Sequence, residues 1–187
     1  MSKTTGMIGL GIMGMPMSAN MLKDGIMVYG YGGPRSNAEK ITALEKMGGK
    51  GTQSPREVAE KTDIVLTCLP SVASLNDVIS GKDGILSAGR KDIIVVETST
   101  FPIEDKQKAR ETLQEAGIVM LDCPLSGTGA QAARKDLAVF AMKSSLGDKV
   151  TIEEIFQGST PFMILLFVSL MIIWAVPILS TWLPSLM

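Results

Sequence analysis

Short apolar runs alternate with helical patterns over the first 142 residues. Met7-Ile8-Gly9-Leu10 reads as a buried strand. The spacing predicts a helix over 13–23, with Met13, Met17 and Met21 at i, i+4 and i+8 on one face. Asp24-Gly25 closes it, because glycine is the common C-terminal stop. A second strand follows at Ile26-Met27-Val28-Tyr29, and a second helix from Ala38 to Met47, ended by Gly48-Gly49. Ser54-Pro55 opens a short helix, with serine placed to cap it and proline in its first turn. Further strands are expected at Ile64–Thr67, Ile93–Val96 and Ile118–Leu121, with a charged helix from Pro102 to Ala116. Strands separated by helices of this length pair in parallel, so the first part is expected to be an α/β sheet domain.

The pattern changes near the end. All 18 basic and 19 acidic residues lie at or before Glu154. Residues 162–183 carry no charge and few polar groups. As one helix they would reach about 33 Å at about 1.5 Å per residue, enough to cross a bilayer core. The other reading is a buried core helix, which usually runs shorter and keeps a polar side. Pro177 would kink a span, and Trp174 and Trp182 would lie towards one interface. The sequence thus predicts a parallel-sheet domain over 1–142, a junction over 143–160 and a single hydrophobic transmembrane-type helix over 161–187. Met1–Thr5 leads straight into the glycine run with no apolar stretch of a signal peptide. Lys143 and Lys149 precede the span and no basic residue follows it. The expected arrangement is a cytoplasmic domain anchored to the inner (plasma) membrane through 162–183.

Composition removes several kinds of chemistry. A net charge of −1 argues against a nucleic-acid partner. The chain has no histidine, which removes a Ser-His-Asp triad, a histidine base and histidine-ligated zinc. Cys68 and Cys123 are far apart and form no CxxC pair, so no metal site is expected.

What remains is a glycine motif. Gly9-Leu10-Gly11-Ile12-Met13-Gly14 is a GxGxxG run, unspecific alone. Here it follows a predicted strand and opens a predicted helix, the setting of a Rossmann-like dinucleotide site. Gly9 permits the tight turn, Gly11 admits a pyrophosphate to the backbone, and Gly14 lets helix and strand pack closely. The helix N-terminus offers N–H groups and a positive dipole end to the phosphates. NAD sites usually carry an acid at the end of the second strand, for the ribose 2′-OH. This chain reads Tyr29-Gly30-Tyr31-Gly32-Gly33-Pro34-Arg35 there, with no acid. Arg35 either meets the 2′-phosphate of NADP or is a solvated surface arginine, and NADP is favoured over NAD.

The run continues as Met15-Pro16-Met17-Ser18-Ala19-Asn20-Met21-Leu22-Lys23-Asp24-Gly25, which resembles the fingerprint of the β-hydroxyacid dehydrogenases. Three further stretches resemble that family in order: Cys68-Leu69-Pro70-Ser71, Glu97-Thr98-Ser99-Thr100, and Asp122-Cys123-Pro124-Leu125-Ser126-Gly127-Thr128-Gly129-Ala130. The resemblance implies that Leu69, Pro70, Ser74 and Thr100 border the nicotinamide. It implies that Ser126, Gly127 and Thr128 hold the carboxylate of a small hydroxy acid. It also implies a lysine acting as general acid/base in a helical second domain, and here no lysine follows Lys149. No catalytic residue can therefore be named.

Residues 147–187 resemble the C-terminus of the large permease subunit of TRAP-type dicarboxylate transporters, on Thr151–Gly158, Pro161-Phe162 and Leu183-Pro184-Ser185-Leu186-Met187. The chain reads as two truncated proteins joined between Ala141 and Val150. Three functions follow as expectations: an NAD(P)-binding domain with little or no catalysis, an oxidoreductase completed by a partner subunit, or a transporter-derived membrane component.

Overall fold

The computed structural model describes residues 4–34 and 37–139, together with Ile164, Phe167, Val168 and Met171. In chain order the elements are β1 (Thr4–Ile8), α1 (Gly14–Lys23), β2 (Met27–Tyr31), α2 (Asn37–Lys46), β3 (Lys50–Gly51), α3 (Pro55–Lys61) and β4 (Ile64–Thr67). Then come α4 (Val72–Ser80), a 3-10 turn (Ile85–Ala88), β5 (Ile94–Glu97), α5 (Ile103–Glu115), β6 (Val119–Asp122), β7 (Leu125–Ser126), α6 (Gly129–Ala133) and β8 (Ala138–Val139). The chain divides into two units, Met1–Ser145 and Leu146–Met187.

Six strands form one parallel sheet in the order β3-β2-β1-β4-β5-β6. The chain moves outward from β1 to β3, then returns to β4 on the other side of β1 and moves out again to β6. The expected α/β parallel sheet is therefore the fold. β7 and β8 form a separate antiparallel pair, with Ser126 opposite Ala138.

Alternation along β1 builds two cores. Met7 joins Leu10, Val28 and Leu44, against which Met15, Met17, Met21 and Leu22 of α1 pack. Ile8 turns to the opposite face and joins the larger cluster of Val58, Val65, Leu75, Val78, Ile79, Val95, Leu113 and Met120. Each such apolar side chain contributes about 1.5–3 kcal/mol when fully buried. The methionine stripe of α1 is only half-buried. The fully buried residues of α1 are Gly14 and Ser18, whose small size brings the helix close. Ser18 satisfies its buried hydroxyl on the Gly14 carbonyl at 2.8 Å.

The caps follow the sequence where it named them. Ser54 accepts from the Glu57 amide with Pro55 in the first turn of α3. A further cap, not expected from the sequence, is Ser71, which accepts from the Ser74 amide at 3.2 Å at the start of α4.

The expected span at 162–183 lies outside the described residues except for Ile164, Phe167, Val168 and Met171, which are helical and exposed. Among the described residues no helix is long and apolar enough to cross a membrane.

Candidate cofactor site

The four motifs meet along one edge. Gly9–Gly14 leaves the C-terminal end of β1, Leu69 and Pro70 that of β4, Thr100 that of β5, and Ser126–Thr128 follow β6. Between β1 and β4 the connections diverge, one towards β2 and one towards β5, which opens a crevice at the sheet's C-terminal edge. Hydrogen bonds set its walls. The Gly9 amide donates to the Tyr31 carbonyl at 2.9 Å and the Cys68 amide to the Ile8 carbonyl at 2.8 Å.

The three motif glycines do different work. Gly9 sits at φ +106°, and a Cβ there would run into the Cys68 carbonyl oxygen. A Cβ on Gly14 would run into the Gly9 carbonyl oxygen. Gly11 is exposed, and a Cβ there would meet nothing within 4 Å. Packing therefore requires glycine at Gly9 and Gly14 but not at Gly11. The first turn of α1 has no side-chain cap at Met13 and no acidic residue, so its amide end stays electropositive. Leu10 is buried in the core and offers the crevice only its backbone, whereas Ile12 is 82% exposed.

On the β4 side Leu69 is half-buried and its amide donates to the Ser99 hydroxyl at 2.9 Å. Pro70 and Thr100 are exposed. Ser74 lies in the capping turn of α4, its hydroxyl 2.9 Å from that of Ser71. Burial pushes the Cys68 thiol up from its ordinary range, and a hydrogen bond with Thr98 only partly offsets this, so the thiol is a poor nucleophile.

The Ser126–Thr128 loop is brought against the glycine turn. A Cβ on Gly129 would lie 2.6 Å from Ile12 Cγ2. Asn20 of α1 donates to the Ala132 carbonyl at 2.8 Å, and Lys135 pairs with Asp24 at 2.7 Å. Ser126 and Gly127 are exposed, and Gly127 has φ +143°. Thr128 is committed to a capping box with Gln131, which occupies its hydroxyl and its amide.

Arg35 lies outside the described residues. At the same strand end Lys40 donates to the Gly32 carbonyl at 2.9 Å, a cation the sequence reading passed over. Its signal was there: a lysine in the first turns of the helix that follows the selecting loop. Also missed was a buried cluster in which Lys106 of α5 pairs with Glu97 and Asp122, the last residues of β5 and β6. Among the described residues no group of acidic or cysteine side chains is arranged to hold a metal ion.

A family model described as the NAD binding domain of 6-phosphogluconate dehydrogenase matches residues 4–157. The chain belongs to this family. It is 33% identical over 141 residues to 2-(hydroxymethyl)glutarate dehydrogenase of Eubacterium barkeri, covering 74% of this chain and 46% of that protein. It is 38% identical over 141 residues to the mitochondrial 3-hydroxyisobutyrate dehydrogenase of Mus musculus, covering 74% of this chain and 41% of that protein. A solved structure of Mycobacterium tuberculosis 3-hydroxyisobutyrate dehydrogenase with L-serine superposes with a TM-score of 0.68 at 28% identity, over 78% of this chain and 49% of that one. The chain spans less than half the length of these curated relatives. The domain is thus an NAD-binding domain, a nicotinamide-dinucleotide fold similar to the first half of these dehydrogenases. The permease resemblance of residues 147–187 gains no support from the family match, which ends at residue 157.

Proposed function

We propose that the crevice binds the dinucleotide with its pyrophosphate on the Gly9–Gly14 turn, NADP in preference to NAD. Leu10, Gly11, Ile12 and Met13 face the phosphates through their backbone. Leu69, Pro70, Ser74 and Thr100 border the nicotinamide, and Ser126, Gly127 and Thr128 take the carboxylate of a small hydroxy acid. The supporting observation is the space at Gly11, the one motif glycine whose Cβ would meet no protein atom. Thr128 takes part through its backbone or by yielding its cap.

The cofactor preference rests on the second strand's end, where no acid waits for a ribose 2′-OH and Lys40 and Arg35 supply positive charge. Titration of the chain with NADPH and NADH is expected to show tighter NADPH binding, and Lys40→Ala to narrow the gap. A clear preference for NADH would sink the charge argument without touching the site.

When bound, the nicotinamide supplies a hydride acceptor or donor. The chain's own residues bind and orient, and among the described residues no lysine is free beside the crevice to move the proton. No lysine follows Lys149, and Lys106 is held between two carboxylates that keep it protonated. General acid/base groups commonly contribute about 10²–10⁴-fold. Assayed alone with a panel of small 3-hydroxy acids, the 187-residue chain is expected to turn over far below about 1–10³ s⁻¹. Turnover within that range would show that proton transfer is supplied by a group not named here.

For the tail, we propose that residues 162–183 anchor the chain in the inner membrane with the dinucleotide domain in the cytoplasm. The support is the absence of charge over that stretch and the position of Lys143 and Lys149 before it. This is also the part that resembles a transporter permease. After fractionation and a carbonate wash, the full chain is expected in the membrane pellet and a 1–150 truncation in the supernatant. A full chain that washes off would end the anchoring proposal.

A further inference from the structure

Lys106 is a buried ammonium with no part in the glycine turn. Its side chain is 7% exposed. Its Nζ lies 2.9 Å from Glu97 Oε2 and donates a hydrogen bond to Asp122 Oδ1. Glu97 is fully buried, and among the described residues its Oε2 has no hydrogen bond beyond this ion pair. The two acids end neighbouring strands and stand in register. Side by side in a buried setting they repel, and the ammonium between them is what lets both strand ends close together.

The contacts run on from there into the loops. Glu97 Oε1 accepts from the Ser99 amide at 2.9 Å, and the Ser99 hydroxyl accepts from the Leu69 amide at 2.9 Å. The Cys123 amide donates to the Glu97 carbonyl at 2.8 Å, and the Leu125 amide to the Thr98 carbonyl at 3.2 Å. One ammonium is thereby connected to the loops that carry Leu69 and Pro70, Thr100, and Ser126. The glycine turn takes no bond from Lys106, Glu97 or Asp122 themselves; it meets the next residue along, Cys68, whose amide donates to the Ile8 carbonyl and whose thiol bonds the Gly14 backbone.

We propose that Lys106 is a positioning residue for the nicotinamide and substrate half of the site, holding three strand-end loops in one arrangement through Glu97 and Asp122. This rests on the dinucleotide reading above. Preorganised loops bind without the cost of ordering, so loosening them weakens only the ligand that reaches them.

The test is Lys106→Met in the full chain. NADPH is expected to bind about tenfold more weakly, while 2′,5′-ADP, which carries the adenosine end alone, binds unchanged; should NADH be the tighter ligand, the pair becomes NADH and AMP. In ligand-free protein the Leu69 and Ser99 amides are expected to exchange hydrogen at least about tenfold faster, with the Met15 amide of α1 unchanged. Asp122→Asn keeps the shape, removes one leg of the cluster and is expected to show the same split to a smaller degree, should the lysine variant fail to fold. Equal loss for both ligands, no loss for either, or unchanged exchange at Leu69 and Ser99 in a folded variant overturns the proposal. If the parent chain binds neither ligand, the dinucleotide reading falls, and the exchange comparison alone decides the role of Lys106.

Discussion

Gly11→Val is expected to abolish dinucleotide binding and leave the fold intact, whereas Gly14→Ala is expected to damage the fold and to lose binding only through it. At Gly11 a side chain has open space, so thermal unfolding stays within about 0.5 kcal/mol of the parent, the ordinary range for a surface substitution. That space is where the pyrophosphate must approach the backbone, and a branched side chain fills it. A loss of at least about 100-fold in affinity, near 3 kcal/mol, is the expected reading. Gly11→Ala gives a smaller loss in the same direction. At Gly14 the Cβ collides with the Gly9 carbonyl oxygen, a backbone atom that can move only by prising α1 from β1. The expected cost exceeds about 2 kcal/mol, with binding lost only because the turn is lost. Calorimetry and ligand titration on both variants separate the outcomes. Binding retained by Gly11→Val would remove the pyrophosphate from this turn.

The glycine turn was legible in the sequence because its physics is local. One strand, six residues and one helix carry its signal, although the Cys68 carbonyl and the Tyr31 carbonyl from neighbouring strand ends also press on Gly9. The same holds for the Ser54 cap and for the strands around Val65, Val95 and Met120, whose apolar runs are continuous because they sit in a parallel sheet. Boundaries slipped by one or two residues where the strand ends carry function: β5 runs to Glu97 and β6 to Asp122, polar residues that an apolar run excludes. β3 escaped because two residues, Lys50 and Gly51, show no period, and only pairing with β2 makes them a strand. α4 carried its own signal, a Ser71 cap followed by Leu75, Val78 and Ile79 on one face, which went unread. The methionine spacing located the helix, and Met17 and Met21 do pack against the Met7 and Val28 core, but the residues of α1 that are fully buried are the small ones, Gly14 and Ser18.

The site itself was half legible. Each loop was named from its own residues, but their mutual placement comes from long-range contacts that no local pattern encodes. Asn20 meets Ala132, and Leu69 meets Ser99, across 112 and 30 positions. Thr128 was expected as a substrate contact from the family resemblance of its loop, and in the structure its hydroxyl caps α6. Lys106 read as one more charge on a surface helix. Its burial follows only from where β5 and β6 end.

That burial gives Lys106→Met the largest expected effect on stability. The substitution keeps the length of the side chain and removes its charge, leaving Glu97 Oε2 sealed from water with no cation. Removing one partner of a buried pair costs about 3–5 kcal/mol, because the remaining charge keeps its desolvation penalty. Replacing Glu97 by Gln in the same chain removes that orphaned charge, so the double variant is expected to be more stable than Lys106→Met alone. The resulting coupling in a double-mutant cycle is about 1–3 kcal/mol. pH gives a second reading. Burial opposes the charge on Lys106, but its hydrogen bonds to Asp122 and Glu97 outweigh this and raise its pKa above the ordinary 10.5. A lysine raised on folding contributes stability that is fully present below its unfolded pKa and is lost as pH rises through the folded value. The gap in urea midpoint between the parent chain and Lys106→Met is therefore expected to hold from pH 8 to about 10 and to narrow above about 10.5. A gap that stays constant to high pH, or a cycle with no coupling, would mean that Lys106 stabilises by packing its hydrocarbon stem rather than by its charge.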